Sequence, residues 1–201
     1  KTAYEIPKRD WSSDVCSSDL LGQIGNLQGV IFSNWQTIDK IPTDARLVGV
    51  GVDFGYTNDP TAIVAIYEYD GKRIVDEVAY KTGMLNADIA KALPDYVPVY
   101  ADSAEPKSID EIRRYGIRIK GVTKGKDSIN YGIQIMQSKE YLVTSTSTNL
   151  IKELRNYCWD TDNQGRTTNT PIGIDHGCDA LRYHEMMALG IKSNYGNYDI
   201  R

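Results

Sequence analysis

No run of about 18 apolar residues occurs in the 201-residue chain, so no membrane-crossing helix is expected. No signal-peptide pattern is visible either. Cysteine is scarce: three residues without C-x-x-C spacing suggest neither a disulfide framework nor a zinc site, and point to a reducing compartment. A strong charge of one sign is also missing. The net charge of −4 does not announce a nucleic-acid binder, so any such role must rest on local charge. There is no internal repeat. There is no phosphate loop: the nearest stretch, "GVTKGKDS" from Gly121 to Ser128, sets its glycines too close for G-x-x-x-x-G-K-[ST]. Asp53-Phe54-Gly55 mimics a kinase tripeptide, but no glycine-rich loop or catalytic loop accompanies it. The first residue is Lys rather than Met, so the chain reads as a fragment.

What is present suffices for one α/β domain with some extra at the ends, since 41% of the residues are hydrophobic. Residues 1–9, "KTAYEIPKR", read as an upstream remnant. Residues 10–20, "DWSSDVCSSDL", are rich in Ser and Asp and follow neither the helical nor the strand period. A polar linker is the plain reading. A sharper one is that this stretch translates a common sequencing-library adapter and is an artefact of sequence assembly; resequencing the source DNA decides between them. Trp11, Cys16 and the aspartates there are therefore left out of functional reasoning. Residues 21–45 read as an irregular connector, 46–190 as the folded domain and 191–201 as a flexible tail.

Strands are expected over 46–54, 61–69 and 72–80, the last two joined by an Asp70-Gly71 hairpin turn. Further strands are expected over 97–102, 117–122 and 141–145. Helices are expected over 86–93 with Asn86 as N-cap, over 108–116 capped by Ser108 and stopped by Gly116, over 127–139 despite Gly132, over 148–159, and over 173–190. The stretch 160–171 reads as a polar turn or hairpin tip. A three-stranded antiparallel meander followed by parallel strands gives a mixed α/β sheet flanked by helices, the organisation of an RNase H-like domain.

Two expected strands end in an acid, Asp53 and Asp102, and ligands in open α/β sheets lie beyond the carboxyl ends of strands. In "DHGCDALRY" (175–183), His176 and Asp179 are three apart and Asp175 and Asp179 four apart, so they share a helix face. A helix docked across the sheet would present Asp179, with His176 beside it, to the other two acids. Clustered carboxylates repel unless cations intervene, and hard oxygen ligands suit Mg²⁺ or Mn²⁺. A single strand-end aspartate is ordinarily a cap or turn former, however, and a lone His is ordinarily structural. Spacing alone leaves a metal nuclease and a set of structural acids both open. From Lys107 to Lys126, seven basic residues face two acidic ones, a local surplus of five. Lys107, Arg113, Arg114, Lys124 and Lys126 are the candidates for DNA-backbone contact, Lys124 and Lys126 because they lie in a Gly-containing loop before a helix amino terminus. An ordinary solvated helix is the alternative for the arginines.

Taken in order over about residues 21–190, "GVDFGYTNDPTA", "ADSAEPKSIDEIRRYG", "KGKDSINYGI", "STNLIKELRNY" and "DHGCDALRY" resemble the C-terminal nuclease domain of the large terminase subunit of tailed bacteriophages. The resemblance implies an RNase H-like fold and a metal-dependent endonuclease that cuts concatemeric double-stranded DNA during packaging. It places the first-strand acid on Asp53 and the next on Asp102. The final-helix pattern "HAxDALRY" falls on His176 and Asp179, with Gly177 and Cys178 departing from it. It implies two Mg²⁺ or Mn²⁺ ions held by Asp53, Asp102 and Asp179, with His176 in a catalytic role. The partners implied are double-stranded phage DNA, a portal protein and a small terminase subunit, without a membrane, in the host cytoplasm and transiently at the procapsid portal. The subunit's ATPase motor is not among the 201 residues. Two rival readings stand beside this one: an actin-like or sugar-kinase-type ATP-binding domain, because "GVDFGYTN" also resembles the first phosphate loop of that superfamily, and a non-catalytic module docking on portal or capsid protein.

Overall fold

The computed structural model describes residues 29–195. The upstream remnant and the adapter-like segment lie outside the described residues. In chain order the elements are β1 (Trp35–Ile38), β2 (Arg46–Asp53), β3 (Thr61–Tyr69), β4 (Lys72–Lys81), α1 (Asn86–Ala92), β5 (Val99–Ala101), α2 (Pro106–Arg114), β6 (Ile119–Gly121), α3 (Ser128–Gln137), β7 (Tyr141–Thr144), α4 (Thr148–Asn156), β8 (Cys158–Thr161), β9 (Thr167–Ile172) and α5 (His176–Tyr195). Seven strands form one sheet in the order β1-β7-β4-β3-β2-β5-β6, while β8 and β9 pair as a separate hairpin. Only β3 runs against its neighbours; every other pairing in the large sheet is parallel. The expected mixed sheet is therefore present.

Alternation along β3 shows how both faces are covered. Ala62, Val64 and Ile66 enter a core with Ile133, Leu150, Leu154 and Leu181, from α3, α4 and α5. Ile63 and Ala65 enter a second core with Ile89, Ile109 and Ile112, from α1 and α2. A strand buried on both sides belongs at the centre of a helix-covered sheet. The β3–β4 turn has positive φ at both Asp70 and Gly71, 47° and 74°, as a type I′ hairpin turn requires.

Some local expectations give way. Residues 35–38, read as part of an irregular connector, form β1 and pair in parallel with β7, while Ile31 and Phe32 are buried in the core. Asn86 is not a cap. It lies inside α1 and its side-chain amide donates to Glu111 at 2.8 Å. Ser108 does not cap α2 either: Pro106 opens that helix, and a proline there has no N–H that needs a partner. Helix α5 starts at His176, after Gly173 at φ 120°, and continues through residues 191–195, which were read as tail.

The first turns of α4 and α5 are satisfied from other elements. Glu77 of β4 accepts the Leu150 N–H and the Asn149 side-chain amide, each at 2.7 Å. Glu153 of α4 accepts the Cys178 N–H at 2.9 Å. A carboxylate at a helix amino terminus meets both unpaired amides and the positive end of the dipole.

The contact that builds the site is α5 on β2. Gly49, Gly51 and Asp53 alternate with Val50 and Val52, which enter the α1–α2 core, so the glycines and Asp53 face α5. A Cβ on Gly49 would lie 2.6 Å from the His184 ring, and one on Gly51 would lie 1.8 Å from the Ala180 carbonyl oxygen. Asp53 meets His176 in the same series. Two strand residues rise about 6.6 Å and four helix residues about 6 Å, so steps of two on β2 match steps of four on α5. The glycines let the helix close on the strand, and the next position in register carries the acid. His184 is 1% exposed and burial pushes its pKa down to about 3, so this second histidine is a neutral core residue.

Candidate active site

Parallel pairing of β2 with β5 sets Val52 beside Ala101, so Asp53 and Asp102 leave adjacent strands, about 4.8 Å apart, at their carboxyl ends. Asp179 comes from the first turn of α5. The Tyr183 hydroxyl, one turn further along, lies 3.2 Å from Asp179 Oδ2 and 3.3 Å from Asp102 Oδ2. Those two carboxylate oxygens are thus at most two hydrogen-bond lengths apart. His176 Nδ1 lies 3.0 Å from Asp53 Oδ2; with a carboxylate as partner, that nitrogen carries the proton and donates. Asp53, Asp102, Asp179 and His176 are therefore gathered at one end of the sheet, on the α5 side.

The electrostatics record the crowding. Burial raises the Asp53 pKa above the usual carboxylate range; the His176 hydrogen bond opposes this, while the charges of Asp179 and Asp102 add to it. Asp175, just before α5, is pushed up to about 6, first by burial and then by Asp179. The hydrogen bond to Asp53 raises His176 against the effect of burial. Burial alone would raise Asp102, but Lys124 and the Ala104 N–H outweigh it and hold Asp102 low. The Ala104 N–H donates to Asp102 Oδ1 at 2.9 Å, so Asp102 also serves the turn-forming role open to any strand-end aspartate.

Each position of "HGCDALRY" has a visible task. His176 holds Asp53. Gly177 leaves space for Glu153, whose Oε2 would lie 3.0 Å from a Cβ there. Cys178 gives its N–H to Glu153 and buries its side chain. Ala180 lies on Gly51, and Leu181 is in the core. Arg182, 3% exposed, pairs with Asp179 at 2.6 Å. Gly132 of α3 makes room for it, since a Cβ there would lie 2.4 Å from Arg182 Cγ. Sequence spacing had not assigned roles to Arg182, Tyr183 or Glu153. Arg182 and Tyr183 follow Asp179 by three and four residues, the spacing that puts helix side chains on one face, and that signal points to both. Glu153 carries no such signal.

The basic candidates divide. Lys124 Nζ is not turned away to solvent but sits 2.7 Å from Asp102 Oδ1. Arg113 is engaged within the domain, with Asp110 at 2.8 Å and the Ile119 carbonyl at 2.9 Å, which fits the solvated-helix alternative. Lys107 and Arg114 are exposed on α2. Lys126 is exposed and lines a surface hollow with Asn169 and Thr170 of β9.

The description "Terminase RNAseH like domain" matches residues 53–184, from the first acid to the middle of the site helix. The chain belongs to the terminase RNase H-like domain family. It is 32% identical over 182 residues to the terminase large subunit of Bacillus phage SPP1, covering 82% of this chain and 43% of that protein. The chain spans less than half the length of the curated relatives it matches. Among solved structures, the nuclease domain of the SPP1 large terminase, which has bound Mn, superposes with a TM-score of 0.66 at 27% identity, over 78% of this chain and 98% of that one. The large terminase nuclease from thermophilic phage G20c, which has bound magnesium, shares the fold with a TM-score of 0.52 at 16% identity, over 79% of this chain and 96% of that one.

The donor set suits a hard divalent cation in kind: three carboxylates supply oxygen ligands, and burial first, then neighbouring carboxylates, raise Asp53 and Asp175. Among the described residues, however, no three His, Cys, Asp or Glu side chains are already drawn around one point tightly enough to hold a metal ion. Two protein cations stand on the acids instead, Lys124 on Asp102 and Arg182 on Asp179.

Proposed function

We propose that this chain is the nuclease part of a phage DNA-packaging terminase and cuts double-stranded DNA with the help of Mg²⁺ or Mn²⁺. One observation carries the reading: acids from β2, β5 and α5, 126 residues apart at the extremes, meet at the carboxyl end of the sheet beside a histidine. Asp53, Asp102 and Asp179 are the residues that would hold the ions. Two divalent ions in such a site supply an activated water and charge stabilisation for the leaving oxygen of a phosphodiester. His176 fixes one oxygen of Asp53 and leaves the other for the cation. Arg182 fixes the direction of Asp179 from a buried position. Tyr183 holds Asp102 and Asp179 at their spacing. Lys107, Arg114, Lys124 and Lys126 offer phosphate contacts on the surrounding surface, which suits a substrate of arbitrary sequence. In this reading the substrate is concatemeric phage DNA, the partners are a portal protein and a small terminase subunit, and the setting is the host cytoplasm and the procapsid portal.

A plasmid cleavage assay with Mn²⁺, Mg²⁺ and EDTA tests the proposal. Nicking in Mn²⁺ that EDTA abolishes, and that Asp53→Ala removes while the far-UV spectrum stays unchanged, is the expected result. Unchanged cutting by Asp53→Ala removes Asp53 from the site.

A further inference from the structure

Lys124 occupies a position that the proposed chemistry needs for something else. Its ammonium sits 2.7 Å from Asp102 Oδ1 and 3.4 Å from the Tyr183 hydroxyl, with its charge 5.1 Å from the centre of the Tyr183 ring. The Tyr183 hydroxyl in turn touches Asp179. Lys124 thus reaches the junction of two of the three acids proposed to hold divalent ions. It comes from the exposed loop between β6 and α3, which contains Gly125, and its side chain is 36% exposed. Asp102, by contrast, is pinned to its own turn by the Ala104 N–H, which donates to the same oxygen, Oδ1. The lysine is the member of the pair free to leave. Arg182, the other cation at the site, is 3% exposed and built into the α3–α5 contact, so it has no such freedom.

We propose that Lys124 is a place-holder cation on Asp102, which a DNA phosphate draws away so that binding of DNA opens Asp102 to a divalent ion. The proposal rests on the nuclease reading above. The positive charge of Lys124 standing on Asp102 repels a divalent ion at the same carboxylate, and a phosphate that draws the ammonium toward itself relieves that repulsion. DNA and metal therefore favour each other through Lys124, and this coupling is reciprocal. The arrangement offsets the charge of Asp102 in the unloaded site and makes metal affinity low until DNA is in place.

The test is calorimetric titration of the metal-free chain with Mn²⁺ alone, in the absence of DNA. Lys124→Met keeps the length of the side chain and removes the charge. It is expected to bind Mn²⁺ about five-fold more tightly, the worth of one partly exposed ion pair. Lys124→Arg is expected to bind as the unaltered protein does. Lys120→Met, which removes an exposed charge on β6, is expected to leave Mn²⁺ binding unchanged. In EDTA, Lys124→Met is also expected to lower the dependence of duplex DNA binding on salt by about one phosphate contact. Equal or weaker Mn²⁺ binding by Lys124→Met overturns the proposal. So does equal tightening by Lys120→Met, which would show a diffuse field effect, and so does an unchanged salt dependence. If the unaltered protein and every variant bind no Mn²⁺, the nuclease reading falls and takes this proposal with it. Mn²⁺ binding that Lys124→Met leaves unchanged removes the place-holder alone.

Discussion

Replacing Glu153 by Gln separates two contributions that the buried cap of α5 combines. Glu153 is 3% exposed, accepts the Tyr80 hydroxyl at 2.7 Å and caps the first turn of α5 through the Cys178 N–H. Burial pushes its pKa from the ordinary 4.5 to about 7, against the pull of those hydrogen bonds. The folded chain therefore holds the proton more tightly than the unfolded chain does. Below about pH 4.5 both states are protonated and the group contributes its full stability. Between 4.5 and about 7 the unfolded chain releases the proton while the folded chain keeps it, so stability falls as pH rises. At about 1.4 kcal/mol per pH unit, the loss is complete above pH 7 at about 3 kcal/mol. Glutamine has nearly the same shape, can still accept from Cys178, and does not titrate. The stability of Glu153→Gln relative to the unaltered protein should rise by about 3 kcal/mol between pH 4.5 and pH 8. Urea denaturation followed by far-UV circular dichroism, in EDTA so that metal binding adds nothing, measures it. A difference that stays constant across that range would refute the reasoning: Glu153 would then be ionised throughout, and burial would not govern its proton.

Three further outcomes follow from the geometry. Gly51→Ala drives a methyl group into the Ala180 backbone and should cost about 3 kcal/mol in denaturant unfolding, with loss of Mn²⁺ affinity as α5 lifts from β2. Gly71→Ala has open space around it and a φ of 74°, so it should cost only about 1 kcal/mol by the same assay and leave cleavage untouched. His176→Ala removes the hydrogen bond that orients Asp53; the cleavage rate at saturating Mn²⁺ should drop about 100-fold while the melting temperature moves by a few degrees at most.

The legible parts of this chain were those governed by local chemistry. The Asp70-Gly71 turn and the apolar runs of β2 and β3 announce themselves, because turn dihedrals and buried strands constrain residue type directly. The three acids were legible for a related reason: a strand that ends in Asp is visible without knowing its neighbours, and the i, i+3 spacing of His176 and Asp179 is visible on any helix. Strand β1 was not, since four residues with an exposed middle, Gln36 and Thr37, carry no hydrophobic alternation, and the strand exists because β7 offers it an edge. The helix caps misled for a parallel reason. Asn86 and Ser108 are good local caps, but the caps used on α4 and α5 are Glu77 and Glu153, supplied from elements more than 20 residues away. The glycines of "VGVGVDF" carry no assigned role in the sequence; they are the approach surface for α5, a fact that depends on a helix more than 120 residues further along. Lys124 stands out in the sequence as a basic residue in a Gly-containing loop, but its partner Asp102 becomes identifiable only once β5 and β6 are seen to be adjacent.

The central claim is that Asp53, Asp102 and Asp179 together form a divalent-cation site. Crystals of the chain soaked in MnCl₂ and measured near the manganese absorption edge test it most directly. The account predicts anomalous density between those three carboxylates, with Asp102 contributing an oxygen to it. Well-ordered crystals with no anomalous density among the three, or with manganese bound only elsewhere, would contradict it.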